Sequence, residues 1–490
     1  MDAPGGWGTA PPRRRSSWLW ALGIAVLALV CAVALAVGLV FASGRGRSAL
    51  GGSQQAQAAS GDQAKPRFGG PFLDPFPALP RPVWTTPQEG LFPHGASPNF
   101  AAANQDTVLV TALVDFLGRT HGFVALDAAT GAKKWQFQAK IPLIVVDCAL
   151  SGDSHVLCWR DNPFDTASGE GIPPHTTRLL FISQKGDVQQ RDLSDPGKAE
   201  VFSLRDGFLV FKSPYITEGS TSTATVFSSS GEQRWARQGG GGRPQAAVSE
   251  DLGLFSIGET EPVQVFQLSD GREIGDFSNL KNSAETDRQA LRVEFHAAGF
   301  TVENGKLMDV FNAQGKKVNQ IAAWRTLWPK LRSTSDSCGK ILLENSSGAI
   351  AAADAGSGQI LWQSPASSDM RMLRGACLGE YFLLRIGHEK TFGVYELASG
   401  KRVGSIPAEN DPVVIGTDGS RVLLRGAGSQ SVYQAYDLAS GKLVWSGPPG
   451  SGGQYLFCAS RGDPGQSGAL MRGAFYLISE KSVSRLGQKP

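Results

Sequence analysis

The chain has 490 residues, 41% of them hydrophobic and 19% charged, with a formal net charge of +3. That near-neutral balance, with no basic run beyond Arg13-Arg14-Arg15, excludes a dedicated nucleic-acid binder, which would carry a clustered basic face. Sixty glycines and 28 prolines suit many short strands joined by turns, and no sustained 3.6-residue periodicity follows residue 42.

In chain order, residues 1–17 form a short tail, too short to fold as a signalling domain, and 18–42 form the first element. Residues 18–41 are apolar throughout, and as a helix they would span about 36 Å, enough for a hydrocarbon core with some tilt. Trp18 and Trp20 sit where interfacial aromatics belong. Arg13, Arg14 and Arg15 precede the segment while Arg45 and Arg47 follow it, a modest bias that favours a cytoplasmic N-terminus. A cleaved signal peptide has an apolar core of only about 7–15 residues, so an uncleaved single-pass anchor is expected, although Val40-Phe41-Ala42 resembles a cleavage site. Lipidation at Cys31 does not fit, because Val30 is bulky and ten apolar residues follow. Residues 43–82 are a Gly/Ser/Gln-rich and then Pro-rich linker that buries too little to fold alone. The folded head is expected over 83–490, outside the cytoplasm of a cell membrane.

The head is dominated by a returning phrase. It reads Gly-Phe-Val-Ala-Leu-Asp-Ala-Ala-Thr-Gly-Ala-Lys-Lys-Trp at 122–135 and Val-Tyr-Gln-Ala-Tyr-Asp-Leu-Ala-Ser-Gly-Lys-Leu-Val-Trp at 432–445. Each copy is an apolar strand, a polar turn closed by glycine, and a second strand. The turn glycines are Gly131, Gly186, Gly231, Gly271, Gly315, Gly358, Gly400 and Gly441, spaced 40–45 residues apart after a first gap of 55. Glycine tolerates the positive φ such a turn needs, and Asp127, Asp270, Asp354 or Asp437 just before it can bond the turn backbone. Trp135, Trp235, Trp362 and Trp445 stand four residues after their glycines, placed to cover the face between neighbouring units; Gln190, Gly275, Asn319 and Gly404 occupy the same position elsewhere. These residues read as structural.

Apolar runs such as Gly207-Phe-Leu-Val-Phe, Lys340-Ile-Leu-Leu-Glu, Tyr381-Phe-Leu-Leu-Arg and Arg421-Val-Leu-Leu-Arg precede each hairpin. The unit therefore has four strands, and a four-stranded unit with a period of about forty residues is a propeller blade. Pro82-Val-Trp-Thr-Thr could pair into the last blade and close the ring. Eight blades are expected, with 474–484, which aligns with 179–189, as a ninth hairpin-like segment that does not fit the count.

The phrases around Trp135, Trp362 and Trp445 resemble the PQQ-like repeat over roughly residues 100–490. The resemblance implies an all-β, eight-bladed propeller of the kind found in quinoprotein dehydrogenases and in non-catalytic relatives such as the lipoprotein that assists outer-membrane protein assembly. It does not extend to the dehydrogenase site. Those enzymes stack the quinone on a disulfide between adjacent cysteines and hold calcium; this chain has no adjacent cysteines, no Cys-x-x-Cys-His and no calcium loop.

Five cysteines follow the apolar segment. Cys148 and Cys158 flank a turn and are expected to form a bridge; Cys338 and Cys377 occupy similar places in successive units and could pair across a blade boundary, leaving Cys458 free. The six histidines show no metal-ligand spacing, Gly239–Gly242 lacks the Lys-Ser/Thr of a phosphate loop, and no Gly-x-Ser-x-Gly is present. The 161–174 insertion explains the 55-residue gap and is either a binding loop or an excursion. No catalytic, cofactor or metal residue is assigned, and no cofactor. The expected function is a membrane-anchored, non-catalytic scaffold or sensory head that binds an envelope protein partner. A quinone- or sugar-dependent enzyme and a polysaccharide-binding module are the alternatives, and a small-molecule ligand stays open.

Overall fold

The computed structural model describes residues 73–92, 97–113, 119–144, 147–162, 176–194, 197–213, 221–241, 245–249, 252–258, 264–275, 277, 292–304, 307–327, 339–365, 374–385, 390–408, 412–426, 432–447, 455–458, 474–479 and 481–488. All lie in the compact unit Ala64–Pro490. The expected membrane segment 18–42 lies outside them, and no helix among the described residues is long and apolar enough to cross a membrane.

The described residues form nine antiparallel sheets, eight four-stranded and one three-stranded. Each sheet is one blade. In chain order they run over 97–144, 147–193, 198–241, 245–267, 292–322, 325–363, 374–407 and 413–446, and the last is built from 455–487 with Arg81–Pro87. The molecule is thus a nine-bladed β-propeller, and the expectation of eight blades is corrected. Eight turn glycines count eight covalent turns between third and fourth strands. The ninth blade has no such turn, because its third strand, Ser482–Gly487, pairs with Arg81–Pro87 from the other end of the chain. The misfit segment 474–484 is the middle pair of strands of that blade, Phe475–Ser479 and Ser482–Gly487, not an outer hairpin. Blade 4 is three-stranded; its outer edge carries only a bridge between Phe266 and Glu273.

The apolar runs are the second strands, as in Gly207–Ser213 and Tyr381–Arg385. They are continuous because both faces of a blade are covered. Alternate side chains point to opposite neighbours: Val108 and Val110 pack towards blade 9, Leu109 towards blade 2. The core is accordingly divided into nine clusters, each filling one blade-to-blade interface and containing residues of the two blades that flank it.

The turns lock these interfaces. All eight turn glycines have φ between 66° and 88°. In blade 1 the Asp127 carboxylate accepts from the amides of Ala129 and Thr130 and from the Thr130 hydroxyl, at 2.8–3.1 Å. Those bonds, led by the Thr130 hydroxyl, hold its pKa below the ordinary carboxylate value. A register shift beside the turn recurs between Ala125 and Leu126, Val226 and Phe227, and Ala435 and Tyr436, as a left-handed glycine closing a hairpin turn requires.

A tryptophan of one blade then covers the turn glycine of the next. Trp235 donates its indole N–H to Leu268 O at 2.9 Å, and a Cβ on Gly271 would lie 2.8 Å from the ring. Trp362 does the same at Leu397 O, 3.0 Å, beneath Gly400.

Gly271→Ala meets both the positive φ and the Trp235 ring, whereas Gly253 has φ +65° and nothing within 4 Å of its missing Cβ. Urea unfolding followed by circular dichroism should show Gly271→Ala costing clearly more than Gly253→Ala, which carries only the backbone cost of about 1–2 kcal/mol. Equal losses would show that the indole contact contributes nothing.

Candidate functional site

The residues singled out by sequence assemble into joints between blades. Trp135 packs on Gly186, its ring 3.6 Å from the position of an added Cβ. Where tryptophan is missing, another group fills the joint. Phe181 takes the place against Gly231, and Asn319 covers Gly358 while donating from Nδ2 to its carbonyl at 3.0 Å. Ile274 covers Gly315, and at Gly441 the backbone of Ser405, beside Gly404, makes the approach directly. Trp445 has no glycine turn in the following blade; its indole N–H donates to Phe76 O at 2.9 Å. One joint residue was missed. Trp84, in the closing strand, donates to Ala128 O at 3.0 Å and covers Gly131, so it serves as the ninth blade's tryptophan. The signal was the tryptophan inside Pro82-Val-Trp, read only as a strand.

Residues 73–82 belong to the head rather than to the linker. Leu73 N donates to Thr417 O at 2.6 Å, and Phe76 is fully buried between Trp445 and Phe475. Composition misled here because proline-rich extended chain reads as linker whether or not it is docked.

Cys148 and Cys158 form the expected disulfide. They stand directly opposite on the first two strands of blade 2, Cα atoms 4.1 Å apart, and both are buried against blade 1. A bridge so enclosed offers no face for a ligand to stack on. Cys377 is also disulfide-bonded; Cys338, its expected partner, lies outside the described residues, as does the side chain of Cys458.

The most concentrated polar chemistry lies in the turn 151–155. Asn104 donates to Ser151 O and Ser154 Oγ at 2.9 and 3.0 Å, tying blade 1 to blade 2. Asp153 accepts from the Ser151 hydroxyl and, at 2.7 Å, from the Ser229 hydroxyl of blade 3. Burial opposes the charge on Asp153, yet these donors and His155 hold its pKa below the ordinary value. The trio of serine, aspartate and histidine is not a relay. Ser151 is fully buried and its hydroxyl donates to Asp153, while His155 Nδ1 lies 3.2 Å from that carboxylate without hydrogen-bond alignment. A nucleophile needs its base in direct contact. The cluster is a polar clamp across three blades.

His296 ends the first strand of blade 5 and is 3% exposed. Its Nδ1 accepts from Ala298 N at 3.4 Å, and its Nε2 has no partner among the described residues. Burial pushes its pKa down to about 4. Among the described residues no group of three or more His, Cys, Asp or Glu could hold a metal ion.

No family model matches the chain, and no curated protein matches it. Its likeness to solved structures is distant. BamB from Moraxella catarrhalis is 11% identical over 74% of this chain and 96% of its own, with a TM-score of 0.35. Quinohemoprotein alcohol dehydrogenase from Comamonas testosteroni is 11% identical over 84% and 77%, with a TM-score of 0.39. The computationally designed Ika8 protein is 10% identical over 86% and 100%, with a TM-score of 0.41. The class is β-propeller, defined by the chain's own sheets; likeness at this level carries nothing about activity.

The His296 environment predicts an acid-sensitive interface. The folded pKa lies below the ordinary value of 6.5, so the unfolded chain takes the proton first. Stability from this group is whole above pH 6.5 and is lost as pH falls towards 4. Replacing it by phenylalanine should flatten the fall in melting temperature between pH 6.5 and 4; an unchanged profile would show that His296 is not kept neutral by burial.

Proposed function

We propose that this chain is a membrane-anchored propeller whose head stands outside the cytoplasm and holds a protein partner without catalysing a reaction. The observation that carries the location is the in-register, buried Cys148–Cys158 bridge, joined by the bonded state of Cys377. Disulfides persist in oxidising compartments and are rare in the cytosol. Residues 18–41 supply a segment long and apolar enough to anchor such a head.

Binding is favoured over turnover by how the described polar groups are used. Asn104, Asp153, Ser229 and Asn319 are engaged in joining blades. What faces outward is a ring of short turns and outer strands on a rigid scaffold, which is where partner recognition resides in such folds. The repeat phrase resembles the PQQ-like repeat, and the enclosed bridge supports a scaffold of that kind rather than a quinone site.

Two measurements on the full chain in its native membranes test this. Alkylation after denaturation without reductant should leave Cys148, Cys158 and Cys377 unmodified, and the chain should stay with carbonate-washed membranes. Labelling of all three, or release by carbonate, overturns the placement. A photo-crosslinking residue at Lys401 or Lys442, on the turn face, should give a discrete light-dependent protein adduct; its absence from both positions overturns binding through that face.

A further inference from the structure

We propose that residues 73–87 are a releasable latch through which load on the N-terminal chain opens the ring at blade 9. The segment supplies the outermost strand of that blade, and it arrives directly from the linker side of the chain. Closure rests on it: without Arg81–Pro87 the edge of Ser482–Gly487 is unpaired, and without the whole of 73–87 the interfaces of blade 9 with blades 8 and 1 lose the aromatic anchors Phe76 and Trp84.

The latch is built to hold at points rather than along its length. Pro75, Pro77, Pro80, Pro82 and Pro87 donate no backbone hydrogen bonds. The strand slips register between Pro82 and Trp84, leaving Val83 50% exposed, and none of its seven residues is buried. Two pegs do most of the holding. Phe76 is fully buried at edge-on contact with Trp445 and Phe475. Trp84 sits on the Gly131 turn with its N–H on Ala128 O. Polar ties outside the strand pairing sit at separate points: Leu73 N to Thr417 O at 2.6 Å, Asp74 to Arg485 at 3.0 Å, Phe76 N to Asp418 at 3.2 Å, Trp445 Nε1 to Phe76 O at 2.9 Å, Gln488 Nε2 to Ala78 O at 2.7 Å, Thr85 to Ser484 at 2.9 Å, and Thr86 to Gly131 O at 2.7 Å.

Direction matters as well. Arg81 pairs with Gly487 and Pro87 with Ser482, so tension at the N-terminal side reaches the open end of the antiparallel pair and breaks its contacts one at a time. The other eight blades are each built from one continuous stretch of chain and do not share this weakness. That the load comes from a membrane rests on the anchored reading above; the latch itself does not.

The test is an optical-trap measurement on the detergent-solubilised full chain with handles at both termini. The lowest-force event should lengthen the chain by up to about 50 Å, the extended reach of 73–87. Trp84→Ala should lower the force of that event and leave later ones unchanged. An oxidised Arg81→Cys, Gly487→Cys pair should shorten it to about 30 Å, the strap alone. A first event above about 100 Å, meaning loss of a whole blade, or an event indifferent to the cross-link, overturns the proposal. Failure of anchoring would appear in the membrane fractionation and leave these traces unchanged.

Discussion

Every blade of this protein is apolar on both faces, and that constraint governs the rest. A sheet with two greasy faces has no stable exposed state, so each blade requires a neighbour on either side. A row of such sheets always leaves two faces bare; only a ring leaves none. The nine interface clusters are the physical form of that closure, and even Val108 and Leu109, adjacent in sequence, belong to different interfaces. Hydrophobic contact brings the blades together without fixing their spacing. The indole-on-glycine joints supply the missing register, because a ring, an indole N–H and a turn carbonyl meet in one geometry only.

Much of this was legible in the sequence because covalent turns leave marks. A third-to-fourth-strand turn needs a left-handed residue, so Gly131, Gly271 and Gly441 announce themselves and set the period. The second strands, buried on both faces, announce themselves as unbroken apolar runs. The ninth blade left no such mark. Its outer turn is replaced by the gap between Gly487 and Arg81, which no chain crosses, so a count of turns returns one blade fewer than a count of sheets. The strap 73–80 was hidden for a related reason. Its anchoring is tertiary, in Phe76 and Asp74, and a docked proline-rich strand has the composition of a free one.

The degeneracy of the repeat has an equally local explanation. The requirement at each joint is that something cover the neighbouring glycine, and tryptophan is one solution. Phe181 reaches the joint from the third strand of its own blade, so the following outer strand is free to carry Gln190. Asn319 replaces the indole N–H with an amide donor to the same turn. Gly404 removes the side chain altogether and lets two backbones touch. The polar cluster around Asp153 follows the same logic. A carboxylate that accepts hydroxyls from two blades, with asparagine holding a third, fixes three blades where apolar packing alone would leave them free to slide.

Closure from the two ends of the chain places the weakest covalent point of the ring beside its mechanical entry. In the other four-stranded blades, separating the third and fourth strands means opening a hairpin whose strands stay tethered at one end, so re-pairing is local and fast. In blade 9 the two strands are joined only through the whole propeller, and once Arg81–Pro87 leaves, its return is a search over a long loop whose closure costs entropy. The aromatic pegs offset that cost. Phe76 buries its ring and Trp84 packs its half-buried one against neighbouring blades, so the strand is held by interfaces that exist before it arrives. A peg that fits a preformed socket favours the closed ring without requiring continuous pairing, and it lets a strand with five prolines in and around it serve as a seam. The tryptophan that elsewhere sets spacing between finished blades here decides whether the last blade is finished at all.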